Sequence, residues 1–144
     1  MLYKEYAFGN CAVYYVLTSD FGVGLAIWPK KYRPDDFDAL CCDSMVQVSL
    51  RGDRSLADYT QGLSMRNRSS VLLQIDGQTA DEKGVVTRLS DGGGNEYIHH
   101  LEYDAATGVF SVYVEYKNNT GREQVLESLQ SFSLSGICDP AARP

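Results

Sequence analysis

Hydrophobic side chains recur at every second position along most of this chain, which is the period of an extended strand rather than of a helix. Residues 11–17 and 23–27 alternate in this way, and in the first segment both faces are apolar, so we expect that strand to be covered on both sides. Shorter alternating or apolar runs predict further strands at residues 46–50, 71–75 and 85–89, with Gly77 ending the second of these three.

The clearest hairpin signal runs from Tyr97 to Tyr116, where two alternating segments flank the turn at residues 104–108. Gly108 closes that turn and suits a left-handed backbone conformation. The last predicted strand, residues 124–134, changes the spacing of its apolar residues from three to two. A β-bulge explains such a change better than a serine-rich helix does.

These segments amount to eight or nine short strands with turn signals between them, a pattern typical of a sandwich or barrel. We therefore predict an all-β protein in which residues 1–144 form a single antiparallel β-sandwich domain. Two polar, irregular segments, residues 29–38 and 52–70, are the longest predicted loops. Long loops on a rigid β scaffold commonly carry binding residues.

Charge narrows the range of partners. The 144 residues carry 13 Lys and Arg against 19 Asp and Glu, a net charge of −6, which argues against a nucleic-acid partner. No run of the chain approaches the roughly 18 apolar residues of a membrane span. The first residues also lack a basic flank before an apolar run, so we expect no secretion signal and a cytoplasmic location.

The four cysteines, Cys11, Cys41, Cys42 and Cys138, include no Cys-x-x-Cys pair. Zinc sites and redox motifs depend on such spacing, so we predict no metal and no cofactor. We expect the cysteines to be partly buried thiols, since a chain of this size folds without a disulfide framework.

The only histidines, His99 and His100, are adjacent on a predicted strand. Neighbouring strand residues point to opposite faces, so the two rings cannot act together on one metal or one substrate. We interpret them as a structural pair with satisfied hydrogen bonds, and we assign no catalytic residue in this chain.

Acidic side chains and one tryptophan are the remaining candidates for chemistry. Asp35, Asp36 and Asp38 share one loop, and Asp81 and Glu82 share another; we interpret both groups as solvated. Trp28 ends a strand beside a loop, where a flat aromatic ring can stack on a sugar.

Several short motifs from Met45 onward carry a family resemblance: Met45-Val46-Gln47-Val48, Gly52-Asp53, Tyr59 with Gly62 and Met65-Arg66-Asn67, Val85-Val86-Thr87, Glu115-Tyr116-Lys117-Asn118-Asn119, and Ser131-Phe132-Ser133-Leu134-Ser135-Gly136. On these residues, positions 44–136 resemble the N-terminal β-sandwich domain of α-galactosidase-like enzymes, glycoside hydrolase family 36.

The resemblance implies a galactose mutarotase-like supersandwich, here incomplete, that is an excised or truncated N-terminal piece of a larger glycoside hydrolase. It implies an accessory role: the domain would support a catalytic barrel, which supplies the two catalytic aspartates, and would take part in homo-oligomerisation. The chain alone would then catalyse nothing, and the missing barrel would be its partner.

Carbohydrate is the ligand class that this resemblance implies. Together with the position of Trp28, it makes Trp28, Tyr59 and Asp53 the candidate sugar-binding residues. Two alternatives stay open: a free carbohydrate-binding module and an aldose-epimerase-like sandwich enzyme. Whether this chain is itself an enzyme therefore stays open as well.

Overall fold

The computed structural model describes residues 1–18, 22–40, 42–53 and 67–134. Within these ranges most of the chain is antiparallel β-structure and very little is helix, which confirms the predicted all-β, sandwich-like class. The elements are β1 (Leu2–Phe8), β2 (Cys11–Leu17), β3 (Val23–Pro29), β4 (Gln47–Leu50), α1 (Arg68–Val71), β5 (Gln74–Asp81), β6 (Gly84–Ser90), β7 (Asn95–Asp104), β8 (Val109–Asn118) and β9 (Leu126–Gln130). Residues 38–40 add one 3₁₀ turn. No helix in the described ranges is long and apolar enough to cross a membrane.

The strands form three sheets. One sheet has the order β1-β2-β3, a second has the order β5-β6-β7-β8, and β4 pairs with β9 in a small third sheet. Every neighbouring pair is antiparallel, and the two larger sheets consist of consecutive hairpins. Sequential strands that pair directly with each other need only short turns, which matches the dense turn signals of the sequence.

The main core lies between the two larger sheets. Alternate residues of β2 and β3, including Val13 and Leu25, pack with alternate residues of β6 and β7, including Leu89 and Leu101. Each of these side chains is fully buried. Met45, Val46 and Val48, which lead into and lie on β4, join the same cluster. We call the sheet surfaces that face this core the inner faces.

A second apolar cluster covers the outer face of the β1-β2-β3 sheet. Tyr14 and Ala26 are buried there, and Phe37 and Leu40 from the segment after β3 pack against that face. The rings of Tyr14 and Phe37 are 5.1 Å apart. The prediction that residues 11–17 are covered on both sides is therefore confirmed.

The turn and bulge predictions are also confirmed. Gly108, after β7 and before β8, has a φ of 71°, the left-handed region. In the β4-β9 pair, Ser49 is opposite Ser128 but Leu50 is opposite Leu126, so Glu127 is the extra residue of a bulge. The strand itself is shorter than the predicted residues 124–134.

The predicted strand at residues 71–75 is wrong. Val71 ends the one-turn helix α1, and β5 begins only at Gln74. The Asn67 side chain accepts a hydrogen bond from Ser70 N at 2.9 Å and caps this turn. Ser70 Oγ in turn bonds to both backbone groups of Val48, at 2.9 and 3.0 Å. These side chain to backbone bonds hold the segment in a helical turn despite its apolar pattern.

Two further differences concern β5 and β1. Gly77 does not end a strand, because β5 continues to Asp81 after a register shift between Ile75 and Gly77. Strand β1 was not predicted, because its exposed Lys4 and Glu5 interrupt the apolar alternation.

Of the four cysteines, Cys11 and Cys42 are half-buried, and Cys41 and Cys138 lie outside the described residues.

The two histidines point to opposite faces, as predicted, but only one has a partner. His99 lies on the inner face of β7, opposite Thr87, and is 0% exposed. Neither of its ring nitrogens makes a hydrogen bond with a described residue. The backbone of Ser131 offsets a part of the effect of burial on the pKa of this ring. Burial, and to a smaller extent His100, lowers the pKa of His99 from 6.5 to about 4. The expectation of a satisfied pair is therefore wrong for His99.

This buried ring predicts a pH-dependent loss of stability. The folded pKa of His99 lies below the unfolded value, so the unfolded chain binds the proton first as the pH falls from 6.5 to about 4. A His99→Gln variant, which cannot titrate, should lose less unfolding free energy than the wild type between pH 7 and pH 4.5, by roughly 2 kcal/mol. Urea denaturation at the two pH values measures this difference.

His100→Gln is the matched control, since it removes the neighbouring, partly buried imidazole and leaves the buried ring in place. We expect it to keep most of the wild-type pH dependence, because burial is the larger cause of the lowered pKa of His99 and His100 the smaller one. If His99→Gln lost as much stability on acidification as the wild type, the buried ring would not be the cause.

Candidate functional site

The outer face of the β5-β6-β7-β8 sheet carries the most varied chemistry in the described part of the chain. The strand registers place Val86, His100 and Tyr113 in one row across this face, on three adjacent strands. The next row contains Gly84, Glu102 and Ser111. An apolar side chain, an imidazole, a phenol, a carboxylate and a hydroxyl therefore share one sheet face.

A depression of about 330 Å³ opens where the β5-β6 hairpin meets β7. We call it the outer groove, and its main side chains are those of Thr79, Asp81, Lys83, Val86, His100 and Glu102. Gly84 also lines the outer groove, between Asp81 and Glu102 on the neighbouring strands. A Cβ atom on Gly84 would lie 2.1 Å from the carbonyl oxygen of Leu101, so only glycine fits against β7 there.

Hydrogen bonds fix the two carboxylates of the outer groove. Asp81 Oδ1 accepts bonds from the backbone N–H groups of Lys83 at 2.8 Å and Gly84 at 3.0 Å, which shapes the hairpin turn. Glu102 Oε1 accepts a bond from the Tyr113 hydroxyl at 3.2 Å. Both groups are thus held in place before any ligand arrives.

Aromatic stacking holds the far side of the groove. The rings of His100 and Tyr113 are 4.3 Å apart and nearly parallel, at 8°. His100 Nε2 lies 2.8 Å from Glu115 Oε1 and bonds to it. Desolvation and the neighbouring Glu102 carboxylate raise the pKa of Tyr113, so its hydroxyl stays protonated and donates at neutral pH. Tyr113 remains 43% exposed.

This arrangement suits binding better than bond cleavage. Fixed carboxylates accept hydrogen bonds, Lys83 donates them, and an exposed aromatic edge lies beside them. The groove is open to solvent, whereas enzyme active sites commonly keep bulk solvent away from the reacting groups. Among the described side chains, no group of three or more His, Cys, Asp or Glu residues is placed to hold a metal ion.

Of the three sequence-predicted sugar-binding residues, Trp28 lies on the other side of the molecule. It is opposite Ala12 in the β2-β3 pair and packs, half-buried, with the cluster on the outer face of the first sheet. The outer groove belongs to the opposite outer face of the sandwich. Trp28 therefore does not line it.

Asp53 lies at the turn after β4, and Tyr59 lies outside the described residues. Asp53 Oδ2 accepts a bond from Leu50 N at 2.9 Å, and Oδ1 accepts one from the Ser69 hydroxyl at 2.9 Å. These bonds tie the end of β4 to the helical turn α1. In the described structure both carboxylate oxygens of Asp53 thus make structural contacts.

The sequence does not mark the groove residues as a site. Its patterns indicate a solvated loop at Asp81 and a structural role for His100, and none of them points to a site at Lys83, Glu102 or Tyr113. The period-two alternation does contain one indication of this site. Within the hairpin from Tyr97 to Tyr116, it places the side chains of His100 and Tyr113 on the sheet face that points away from the core. The close approach of Gly84 to β7 could not be found in this way.

Comparisons with models of known protein families, with curated proteins and with solved structures found no match. The class of this protein is therefore defined by its fold and its surface: an all-β, antiparallel sandwich-like protein with a groove on an outer sheet face.

The contacts of Asp53 give a testable expectation. Asp53→Ala removes an acceptor from both Leu50 N and the Ser69 hydroxyl, so we expect a loss of about 2 kcal/mol in the free energy of unfolding. Asp35→Ala, which removes an exposed carboxylate from another loop, should change it by less than about 0.5 kcal/mol. Chemical denaturation measures both, and unchanged stability in Asp53→Ala would indicate that its bonds are not structural.

Proposed function

We propose that this chain is an accessory, non-catalytic β-sandwich that binds carbohydrate in its outer groove. The proposal joins the resemblance to α-galactosidase-like enzymes with one observation, the fixed carboxylates of Asp81 and Glu102 beside Lys83 and the exposed Tyr113. Sugar hydroxyls are bound by such pairs of acceptors and donors, and the apolar face of a sugar ring packs on aromatic groups.

The groove gives less support to hydrolysis by this chain. Glycosidases place two carboxyl groups on either side of the scissile bond, one of them held as an acid. Here Asp81 shapes a hairpin turn and Glu102 accepts the Tyr113 hydroxyl, in a groove open to solvent. An accessory role beside a separate catalytic barrel is consistent with this, since the barrel would supply both aspartates.

The epimerase alternative also has less support. Acid–base chemistry at a sugar carbon needs proton-transfer groups that converge on one substrate. His100 lines the outer groove, but its ring is engaged by Glu115 at 2.8 Å. His99 lies in the core on the other face of the same strand. A single histidine in an open groove favours binding.

Titration with galactose, melibiose and raffinose, followed by backbone amide chemical shifts, tests the proposal. We expect shifts at residues 79–86 and 100–102, and no change in the fluorescence of Trp28, which lies on the opposite outer face. Glu102→Gln should weaken binding by about tenfold or more, since it removes a charged hydrogen-bond acceptor.

Glu82→Gln is the matched control, because Glu82 is exposed in the same hairpin turn but does not line the groove. It should leave the affinity unchanged. Equal affinity in the wild type and Glu102→Gln, or a fluorescence response of Trp28 without shifts in the groove, would contradict this site. Release of galactose from melibiose by the chain alone would contradict the non-catalytic role.

A further inference from the structure

Strand β8 forms one edge of the four-stranded sheet, and no described strand pairs with its outer side. It is ten residues long and pairs with β7 along its whole length without a register shift. A long, regular edge strand offers a row of backbone hydrogen-bonding groups to another chain.

The direction of those groups follows from the register of the β7-β8 pair. Asn119 N donates to Gly94 O at 2.9 Å, on the β7 side, directly after the pair of Asn118 with Asn95. Hydrogen-bonded and non-bonded pairs alternate in antiparallel sheets, so the odd-numbered residues of β8 bond to β7. The even-numbered residues therefore direct their N–H and C=O groups outward; they are Phe110, Val112, Val114, Tyr116 and Asn118.

Four of these residues also show that the core is open along this edge. The side chains of Phe110, Val112, Val114 and Tyr116 belong to the inner face, yet each is only partly buried. On the outer face, Val109 is 54% exposed and Tyr113 is 43% exposed. An added strand would cover apolar surface as well as pair the backbone.

The other described edges carry features that oppose such pairing. Strand β1 has a register shift near Lys4, and β5 has one after Ile75. Strand β9 has the bulge at Glu127, and β4 has four residues. Beside β3, the Met45 N–H already bonds to Val23 O at 2.8 Å. Bulges, charges and short length are the usual protections of an edge. Strand β8 has neither a bulge nor a short length, and its charged residues, Glu115 and Lys117, lie only in its last four positions.

We propose that β8 pairs antiparallel with β8 of a second copy of this chain, centred on Tyr113, so that two four-stranded sheets become one. We infer a second copy as the partner because β8 can pair with its own sequence in an antiparallel arrangement. In this register Phe110 lies opposite Tyr116 of the second copy, and Val112 lies opposite Val114. The outward-directed residues then bond to one another, and the inner faces stay aligned.

Charge favours this register over one shifted toward the end of the strand. Centring the pair on Glu115 would place two carboxylates directly opposite each other, which is destabilising. Centring on Tyr113 places Ser111 opposite Glu115 and brings the two tyrosines together. The two outer grooves would then lie on one continuous sheet face, with the His100 and Tyr113 rings of both copies in a row.

Sedimentation of the full chain, without any sugar, tests the pairing through two charge variants. Tyr113→Lys would place two ammonium groups opposite each other, so we expect the dimer to weaken by at least about tenfold. Ser111→Lys adds the same charge two residues away on the same face, but opposite Glu115 of the second copy. That variant should dimerise as well as the wild type or better. Circular dichroism checks that both variants keep their strands.

Disulfide trapping tests the register directly. In a non-hydrogen-bonded antiparallel pair the Cα atoms lie about 4.5 Å apart, within disulfide range. Tyr113→Cys should therefore form a covalent dimer under mild oxidation. Ser111→Cys, whose two copies would be roughly 13 Å apart along the strands, should not exceed the wild-type background.

A monomeric wild type at 100 μM would overturn the proposal. So would a dimer that Tyr113→Lys leaves intact, or one that both lysine variants break equally, because either result places the interface or the register elsewhere. Cross-linking at Ser111→Cys instead of Tyr113→Cys would overturn the register. None of these outcomes depends on whether the outer groove binds sugar.

Discussion

The described structure depends on one layer of apolar side chains shared by the two larger sheets. Neither sheet could bury its inner face alone, since an isolated hairpin sheet leaves one side in water. Residues such as Tyr15 and Leu25 from one sheet meet Leu89 and Tyr97 from the other, and each is completely buried. The β4-β9 pair and Met45 close this layer, and the helical turn α1 is fastened to it through Ser70 and Val48.

The two outer faces of the sandwich differ, and this difference decides where function can lie. The segment after β3 folds back over the first sheet and covers Tyr14 with Phe37 and Leu40. No described segment covers the second sheet in the same way, and its outward row from Val86 to Tyr113 meets solvent. Aromatic and charged groups on the uncovered face can contact a ligand without any opening of the fold.

How far the sequence could predict this structure depends on what each pattern measures. Period-two alternation located seven of the nine described strands and the covered position of β2, because it records directly which side chains are buried. It failed at residues 71–73, where polar partners rather than apolar spacing decide the conformation: Asn67 caps the turn and Ser70 bonds to Val48. It missed β1 because that strand exposes most of its residues.

The candidate site was less predictable than the fold. The chemistry of Trp28 makes it a candidate, but its neighbours along the chain do not show that Phe37 and Leu40 cover the same face. The outer groove joins a turn after β5 to side chains some twenty residues later, so no local motif contains it. Its position could be reached only after the strand registers were known.

Polar groups in the core help to explain why those registers are well defined. Apolar residues at every second position tolerate a slip by two residues, since each side chain would stay on the inner face. Tyr6, Gln78 and Thr87 remove that freedom: the Tyr6 hydroxyl donates to Gln78 Oε1 at 2.9 Å, and Gln78 Nε2 donates to Thr87 Oγ1 at 2.8 Å.

These bonds cross between the two sheets and between β5 and β6, and they form only in the observed pairing of Gln78 with Thr87. A two-residue slip would leave the partly buried Gln78 amide without these partners, at a cost of up to about 1–3 kcal/mol for each group that is kept from water. His99 continues the same row on β7 and stays neutral there. The polar row therefore selects one alignment among those that the apolar layer alone would accept.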